Sequence, residues 1–340
     1  MSTIQIGGRA VGEGQGAFIL AEVASAHQGE AVQAIAIAKH AQEAGADGVK
    51  FQLFRASELI APNDPRFSTF QQIELSLEDW DQVLAETRRL GISILGEVFD
   101  RESLTVAEKH DGAAYKIHST DIENPEFIRA VAGTGKPLLL STGGSGLGAV
   151  EAAIEVARRE GNEGLMLLHG VQNFPTRSED SHLAFIDTLK RTFGLPVGFL
   201  DHVDGGSTMA VVLPALAVAF GADLVEKHMT LDRRTKGFDY ESALEKEAFA
   251  SMVGLIRESE KALGSTKLPA GASASRYHQL MRRAVLSRVE LRKGEPLTKD
   301  KVALLRCETG LAPYDLPRLL GRKPRRDIAP WEPLSEDLFE

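Results

Sequence analysis

Short runs of apolar residues alternate with longer stretches of helical periodicity through most of the chain. Each run fits a buried strand, and the stretches between them fit helices, several of which end at a glycine such as Gly45 or Gly91. This alternation is typical of parallel strands joined by crossover helices, so it predicts an α/β fold. The predicted strands are residues 17–21, 48–53, 92–98, 113–118, 137–142, 164–169, 195–200 and 223–228.

A sequence pattern that recurs at the start of several strands favours a closed barrel. In residues 45–50, 112–116 and 221–226, a glycine ends a helix, a tight turn follows, and a strand delivers a charged residue. Together with the eight predicted strands and the helices between them, this pattern predicts a (β/α)8 TIM barrel, in which the active site lies at the C-terminal ends of the strands. The alternative is an open doubly wound sheet, but no Gly-x-Gly-x-x-Gly motif follows the first strand.

The composition changes after Gly264, which predicts a second domain. Residues 1–264 are expected to form the barrel and residues 265–280 a linker, because Pro, Gly, Ala and Ser are frequent there. Residues 281–340 contain two similar stretches, 292–300 and 329–337, each with a turn, then Glu-Pro-Leu, then an acidic residue. These echoes predict a small, mostly β domain with internal pseudo-symmetry.

Composition and charge restrict the possible partners. The chain has 340 residues, 26% of them charged, and a formal net charge of −9, which disfavours binding to nucleic acid. The single cysteine, Cys307, excludes an internal disulfide and fits a reducing compartment. We see no apolar run long enough for a membrane span and no signal peptide, so a cytoplasmic protein is expected.

Polar residues follow the predicted strands where a packed core does not need them. In Glu226-Lys227-His228, Glu226 and His228 are expected on one face of a strand and Lys227 on the other. Two lysines at one barrel mouth suggest a doubly anionic ligand, or one lysine could form a Schiff base. Two histidines beside a carboxylate suit a divalent metal. The strand-end set is Glu22, Lys50, Gln52, Glu97, Lys116, Ser119, Ser141, Thr142, His169, Gln172, Asp201, His202, Glu226 and His228.

The glycine-rich loop 143–146 follows the fifth predicted strand. It lacks the Lys-Ser/Thr pair that ends a P-loop, and it is expected to let backbone amides approach an anion.

Several of these motifs, in this order, resemble the sialic acid synthase family. The C-terminal part is similar to the antifreeze-like (SAF) domain that ends those synthases, so the resemblance covers nearly the whole chain. The motifs are Phe18-Ile19-Leu20-Ala21-Glu22, His27-Gln28-Gly29, residues 45–52, residues 115–119, residues 140–143, Phe174-Pro175, Asp201-His202, residues 226–232, residues 292–295 and residues 309–313.

The resemblance implies condensation of phosphoenolpyruvate with the aldehyde of an N-acetylhexosamine such as N-acetylmannosamine. The product is a 2-keto-3-deoxy sugar acid, and phosphate is released. It also implies a divalent metal, Mn²⁺ or Mg²⁺, and a domain-swapped homodimer. The implied roles are metal binding for His202 and His228, and phosphoenolpyruvate binding for Lys50, Lys116, Ser119 and Ser141. Glu22 and Glu226 would orient the acceptor and handle protons or the attacking water, and Gln52 and Asp239 would contact sugar hydroxyls. Gln172 is expected to bind substrate, and Arg306 of a second subunit to touch the acyl group.

Some positions depart from the family pattern. Glu97 replaces a threonine that touches phosphate in the family, and we expect its charge to repel that group. Either phosphoenolpyruvate is held differently, with Arg55 or Arg177 compensating, or the co-substrate is another anion and the protein is a barrel aldolase, lyase or condensing enzyme. A sugar-binding or assembly protein that has lost catalysis is a third interpretation. The other departures are Leu200, Gln172, Phe174 and residues 237–240.

Overall fold

The computed structural model describes residues 3–264 and 272–340, and the chain divides into two compact units, Met1–Gly264 and Ser265–Glu340. Part of the predicted linker, residues 265–271, lies outside the described residues. From Ala272 onward the predicted linker is a helix, which its Ala- and Ser-rich composition did not suggest to us.

The first unit alternates strands and helices along its length. None of the helices in the described ranges is both long and apolar enough to cross a membrane. The strands are β1 (Thr3–Ile6), β2 (Arg9–Gly12), β3 (Phe18–Glu22), β4 (Gly48–Leu53), β5 (Ser93–Val98), β6 (Ala114–Ile117), β7 (Leu138–Ser141), β8 (Leu165–His169), β9 (Val197–Asp201) and β10 (Leu224–His228). The helices are α1 (Ala31–Glu43), α2 (Ala56–Leu59), α3 (Phe67–Ile73), α4 (Leu77–Arg89), α5 (Arg101–Lys109), α6 (Pro125–Ala132), α7 (Leu147–Arg159), α8 (Phe185–Phe193), α9 (Met209–Ala219) and α10 (Lys246–Leu263).

Strands β3 to β10 form a closed, parallel, eight-stranded barrel, with β10 hydrogen-bonded to β3. The predicted (β/α)8 barrel is therefore confirmed, and the open doubly wound sheet is wrong. Each barrel strand begins and ends within two residues of the predicted bounds. The register places Glu22 beside Lys50 and Glu97 beside Lys116. Chain segments that are far apart in sequence thus deliver charged residues to neighbouring positions.

Helix α4 illustrates how local sequence sets the bounds of an element. Ser76 caps its first turn, because its hydroxyl accepts a hydrogen bond from the Asp79 amide at 3.0 Å. The helix then buries Trp80, Val83 and Leu84 in the layer between the helices and the barrel. The helix ends at Arg89, just before Gly91, the glycine at which the sequence predicted a helix end.

Inward-facing positions of the barrel form an apolar layer below a polar one. Because side chains alternate along a strand, Leu20 and Glu22 both face the interior of the barrel, as do Leu224 and Glu226. The apolar layer lies toward the N-terminal ends of the strands and contains Phe18, Leu20, Leu95, Leu139, Met166, Leu168, Leu200 and Leu224, all at most 1% exposed. The polar layer therefore lies at the C-terminal ends, where it can reach a ligand.

An N-terminal hairpin, which was not predicted, closes the lower end of the barrel. Strands β1 and β2 pair antiparallel, and the turn between them uses Gly7 and Gly8 at positive φ, a conformation that glycine adopts without strain. Ile4, Ile6 and Val11 are buried against the apolar layer of the barrel. The hairpin was hard to predict because each strand has only four residues, so its alternation of apolar and polar residues is short.

The second unit contains α11 (Ala272–Met281) and the antiparallel pair β11 (Arg283–Ser287) and β12 (Val302–Arg306). The two sequence echoes begin next to each other, since Leu291 and Ile328 exchange backbone hydrogen bonds of 2.9 Å in both directions. Leu297 and Leu334, the leucines of the two Glu-Pro-Leu triplets, are both buried in the core of this unit. These contacts agree with the predicted pseudo-symmetric β domain.

His27 is expected to make the stability of the barrel depend on pH. It is fully buried, its ring lies edge-on to Trp80 with centroids 5.6 Å apart, and burial lowers its pKa to about 4. The unfolded chain takes up a proton near pH 6.5 and the folded chain does not, so stability is expected to fall as the pH drops through this window. We expect urea unfolding to show that His27→Gln loses about 2 kcal/mol less stability between pH 7 and pH 5 than the wild type. Equal losses in the two proteins would contradict this assignment.

Candidate active site

A cavity of about 550 Å³ opens at the C-terminal ends of the barrel strands. Its position is where active sites of this fold lie. Eight of the predicted site residues line it: Glu22, Gln52, Lys116, Gln172, His202, Glu226, His228 and Asp239.

Two lysines and three carboxylates form a buried cluster at the base of the cavity. The Lys50 ammonium lies 2.5 Å from Glu97 and 2.9 Å from Glu226, and it also pairs with Glu22. The Lys116 ammonium lies 2.9 Å from Glu226 and 3.3 Å from Glu97. All five side chains are at most 4% exposed. With every group ionised, the cluster carries one negative charge in excess.

Burial and the neighbouring charges shift the pKa values of the residues in this cluster. Burial lowers the pKa of Lys50 to about 8, although Glu226 and Glu97 oppose the shift. Burial also acts to lower the pKa of Lys116, but Glu226 and Glu97 outweigh it and the pKa is raised. For Glu97 and Glu226, burial is outweighed by Lys116 and Lys50, so both pKa values are lowered. The two carboxylates are therefore ionised and Lys116 is charged at neutral pH.

His202 and His228 lie together at the edge of this cluster, with ring centroids 5.2 Å apart. The His202 Nδ1 donates to the Val171 carbonyl oxygen at 2.9 Å, which leaves Nε2 with a free lone pair. Burial lowers the pKa of His202 to about 4 and that of His228 well below its usual value, so both imidazoles are neutral. Phe174 packs on both, with centroids 4.6 Å from His202 and 5.8 Å from His228.

The histidine pair is suited to a divalent metal but does not complete a coordination sphere. His228 Nδ1 is buried and lacks a hydrogen-bond partner in the part of the chain that the structure describes. Within the same residues, no group of three or more His, Cys, Asp or Glu side chains is arranged to hold an ion. A site with two imidazole nitrogens would leave the remaining positions to substrate and water.

Lys227 points away from the cavity, as the alternation along β10 predicted. Its ammonium is fully buried, 3.0 Å from Asp201 and 3.2 Å from the Val203 carbonyl oxygen. This pair lies on the outer side of the barrel and links β9 to β10. Asp201 therefore has a structural partner, while its neighbour His202 faces the cavity.

Not all the predicted site residues converge on the main cavity. Ser119 lines a separate cavity with the glycine loop 143–146. Ser141 is fully buried, and its hydroxyl has no partner among the described residues. Arg306 ends β12 in the second unit and is exposed. Arg55 is paired with Asp100 and Glu102, and Arg177 with Asp180, and neither arginine lines the main cavity.

An aromatic and aliphatic wall on one side of the cavity was not identified in the sequence. Phe54 and Phe70 lie edge-to-face with ring centroids 5.8 Å apart, and Phe54 contacts Phe99 at 6.3 Å. The sequence feature that could have indicated this wall is the Phe-rich segment between β4 and α4, residues 54–76, to which no function was assigned. Other lining residues that were missed are Ala24, Ser25, Leu59, Ile60, Arg66, His118 and Thr120.

This arrangement can bind an anion at Lys116, hold an electrophile at the two imidazoles, and move protons through carboxylates between them. The apolar wall opposite can exclude water from the same space. Such a combination suits formation of a bond between an anionic donor and a polar acceptor.

Comparison with known proteins places the chain in a family. The model of the NeuB family matches residues 37–268, and that of the SAF domain matches residues 282–340. The N,N'-diacetyllegionaminic acid synthase of Legionella pneumophila is 33% identical, covering 90% of each chain. A pseudaminic acid synthase of Campylobacter jejuni is 29% identical, covering 95% of this chain and 96% of its own.

A solved structure shares the fold. The N-acetylneuraminic acid (sialic acid) synthetase of Leptospira borgpetersenii serovar Hardjo-bovis, in complex with citrate, superposes with a TM-score of 0.75 and 29% identity, covering 81% of this chain and 94% of its own. The family model spans more than half of the chain, and named synthases match it over nearly its whole length. The chain therefore belongs to the NeuB family, ends in a SAF domain, and is an enzyme of the sialic acid synthase type.

Proposed function

We propose that the enzyme condenses phosphoenolpyruvate with the open-chain aldehyde of an N-acetylated amino sugar. The enol C3 forms a bond to the aldehyde carbon, water adds at C2, and inorganic phosphate leaves, giving a 2-keto-3-deoxy sugar acid. The observation that carries the proposal is the convergence of Lys50 and Lys116 with three carboxylates beside a neutral histidine pair. The names of the relatives support an amino-sugar acid as the product.

Binding of the anionic donor is assigned to the two lysines. Lys116 lines the cavity and is charged, so it can contact a phosphate or carboxylate directly. Lys50 lies behind it, fully buried, and adds positive potential without exposure to solvent. Ser141, whose buried hydroxyl lacks a partner in the described ranges, is proposed as a further donor. Ser119 is proposed to act from the neighbouring cavity.

Proton transfer is assigned to Glu22 and Glu226. Glu226 is ionised and held by both lysines, so it can stabilise positive charge that develops at the enol C2. Glu22 accepts a hydrogen bond of 2.6 Å from the Ala24 amide and lines the cavity. We propose that Glu22 takes the proton of the water that adds at C2.

The acceptor sugar is assigned to the cavity residues around the donor site. Gln52 and Gln172 offer amide groups, and Asp239 offers a carboxylate that the Ser25 amide holds at 2.9 Å. We further propose that the enzyme is a domain-swapped homodimer in which Arg306 of one copy reaches the acyl group in the barrel of the other. A dissociated monomer that keeps full activity would argue against this arrangement.

A divalent metal, Mn²⁺ or Mg²⁺, is proposed at His202 and His228. The residues fit such an ion, because both imidazoles are neutral and the His202 ring is oriented by its bond to Val171. The metal supplies Lewis acidity toward the aldehyde oxygen when it is bound. The two histidines orient the acceptor end of the cavity, and Phe174 shields them from water.

Phosphate release tests the proposal. We expect inorganic phosphate to appear in equal amount to a 2-keto sugar acid when metal-loaded protein receives phosphoenolpyruvate and an accepted amino sugar. We expect dialysis against a chelator to reduce the rate by at least about 10²-fold, and Mn²⁺ to restore it. A panel of N-acetylmannosamine, diacetamido-trideoxyhexoses and related aldehydes that yields no phosphate would refute the proposed reaction.

A second candidate function is an aldolase or lyase that uses a different carboxylate. The observation that favours it is Lys50, an amine whose pKa is lowered to about 8 by burial, next to Glu97. Such an enzyme would form a Schiff base between Lys50 and a 2-keto acid. Borohydride with pyruvate would then attach a stable adduct to Lys50, which mass spectrometry detects; the first candidate predicts no adduct.

A further inference from the structure

Glu97 is bound to both lysines of the cluster at once. It faces the barrel interior from β5 and is fully buried. One carboxylate oxygen accepts from the Lys50 ammonium at 2.5 Å and from the Gln52 amide at 3.2 Å. The other lies 3.3 Å from the Lys116 ammonium. A single side-chain anion thus bridges the two ammonium groups that an anionic ligand would use.

We propose that Glu97 sets the affinity of the cavity for the anionic co-substrate by acting as an internal counter-anion. A phosphate group that binds Lys116 has to displace or approach this carboxylate. Glu97 therefore weakens the binding of dianionic groups, both the phosphate of phosphoenolpyruvate and the inorganic phosphate released from it. This inference rests on the proposed function in one respect, which is that the cavity beside Lys116 receives the anionic co-substrate.

The charge of the cluster supports the inference. Glu22 and Glu226 together can already neutralise the two lysines, so Glu97 is the carboxylate that brings the cluster to an excess negative charge. Lys116 is the ammonium that lines the cavity, and Glu97 lies behind it. Like charges a few ångströms apart in a buried site repel by several-fold RT, even at the effective dielectric constant of proteins. An incoming dianion bears this repulsion in the wild-type protein.

Removing the charge of Glu97 tests the proposal. Glu97→Gln keeps the size and the hydrogen-bonding shape of the side chain, and it leaves Lys50 with Glu22 and Glu226 and leaves Lys116 with Glu226. We expect calorimetric titration to give a dissociation constant at least about tenfold lower for both phosphoenolpyruvate and inorganic phosphate. The KM for phosphoenolpyruvate should fall with it, while the KM for the sugar stays unchanged.

Glu102→Gln is the matched control. Its carboxylate is on helix α5, which follows β5, is 59% exposed and pairs with Arg55, so the same change in net charge is made away from the lysines. We expect its phosphate affinity to equal that of the wild type. An equal gain in both variants would show a general charge effect and would overturn the proposal.

A second variant keeps the proposal testable if Glu97→Gln alters the local structure of the cluster. Glu97→Ser removes the same charge and opens space beside Lys116, and it should also bind phosphate more tightly. If neither folded variant binds phosphate or phosphoenolpyruvate more tightly than the wild type, the internal counter-anion is refuted. Tighter phosphate binding without any phosphate release by the wild type would uphold the counter-anion and refute the proposed reaction instead.

Discussion

Lys116→Met is expected to lower kcat/KM for phosphate release by about 10³-fold or more. Methionine keeps most of the length of the side chain but removes the ammonium that lines the cavity and donates to Glu226 at 2.9 Å. The donor anion then loses its direct cationic partner, and Glu226 loses one of its two. Steady-state phosphate release with saturating metal and acceptor measures the effect.

Lys109→Met is the control for this substitution. Lys109 is an exposed lysine at the end of α5, where it pairs with Asp81 at 2.5 Å. Its loss should leave kcat/KM unchanged. If Lys116→Met retains a native circular dichroism spectrum and activity within about tenfold of the wild type, Lys116 does not bind the reacting anion.

Lys227→Met is expected to reduce the free energy of unfolding by about 3–5 kcal/mol, the largest effect on stability that we predict. The substitution leaves Asp201, which is 1% exposed, without its charged partner. Its remaining bond, from the Val203 amide at 3.0 Å, does not neutralise the carboxylate. Urea unfolding at neutral pH measures the loss.

The double variant Asp201→Leu/Lys227→Met distinguishes the effect of an unpaired buried carboxylate from the effect of altered packing. Replacing both charges by apolar groups of similar size removes the unpaired carboxylate, so most of the lost stability should return. A double variant that is no more stable than Lys227→Met alone would mean that the single substitution acts through packing and not through the buried charge.

The barrel could be predicted because its strands are short apolar runs separated by helices. The alternation of side chains also predicted that Glu226 and His228 share the inner face while Lys227 points outward, and the structure has this arrangement. Local signals therefore sufficed for the strands and for the side of each strand that carries the chemistry.

Partners across the barrel could not be predicted in the same way. Glu97 was expected to repel a phosphate, but its contacts with Lys50 and Lys116 depend on the register of three strands, which no local pattern encodes. The aromatic wall depends on how the segment between β4 and α4, residues 54–76, folds beside the cavity. The N-terminal hairpin was not predicted, because its apolar residues are buried only by contact with the lower end of the closed barrel.

A crystal structure with phosphoenolpyruvate and Mn²⁺ would show directly whether the donor and the metal bind side by side in the main cavity. We expect the anion within hydrogen-bonding distance of the Lys116 ammonium and the ion bound by His202 and His228. An anion bound away from Lys116, or an ion that contacts neither histidine, would refute the proposed site.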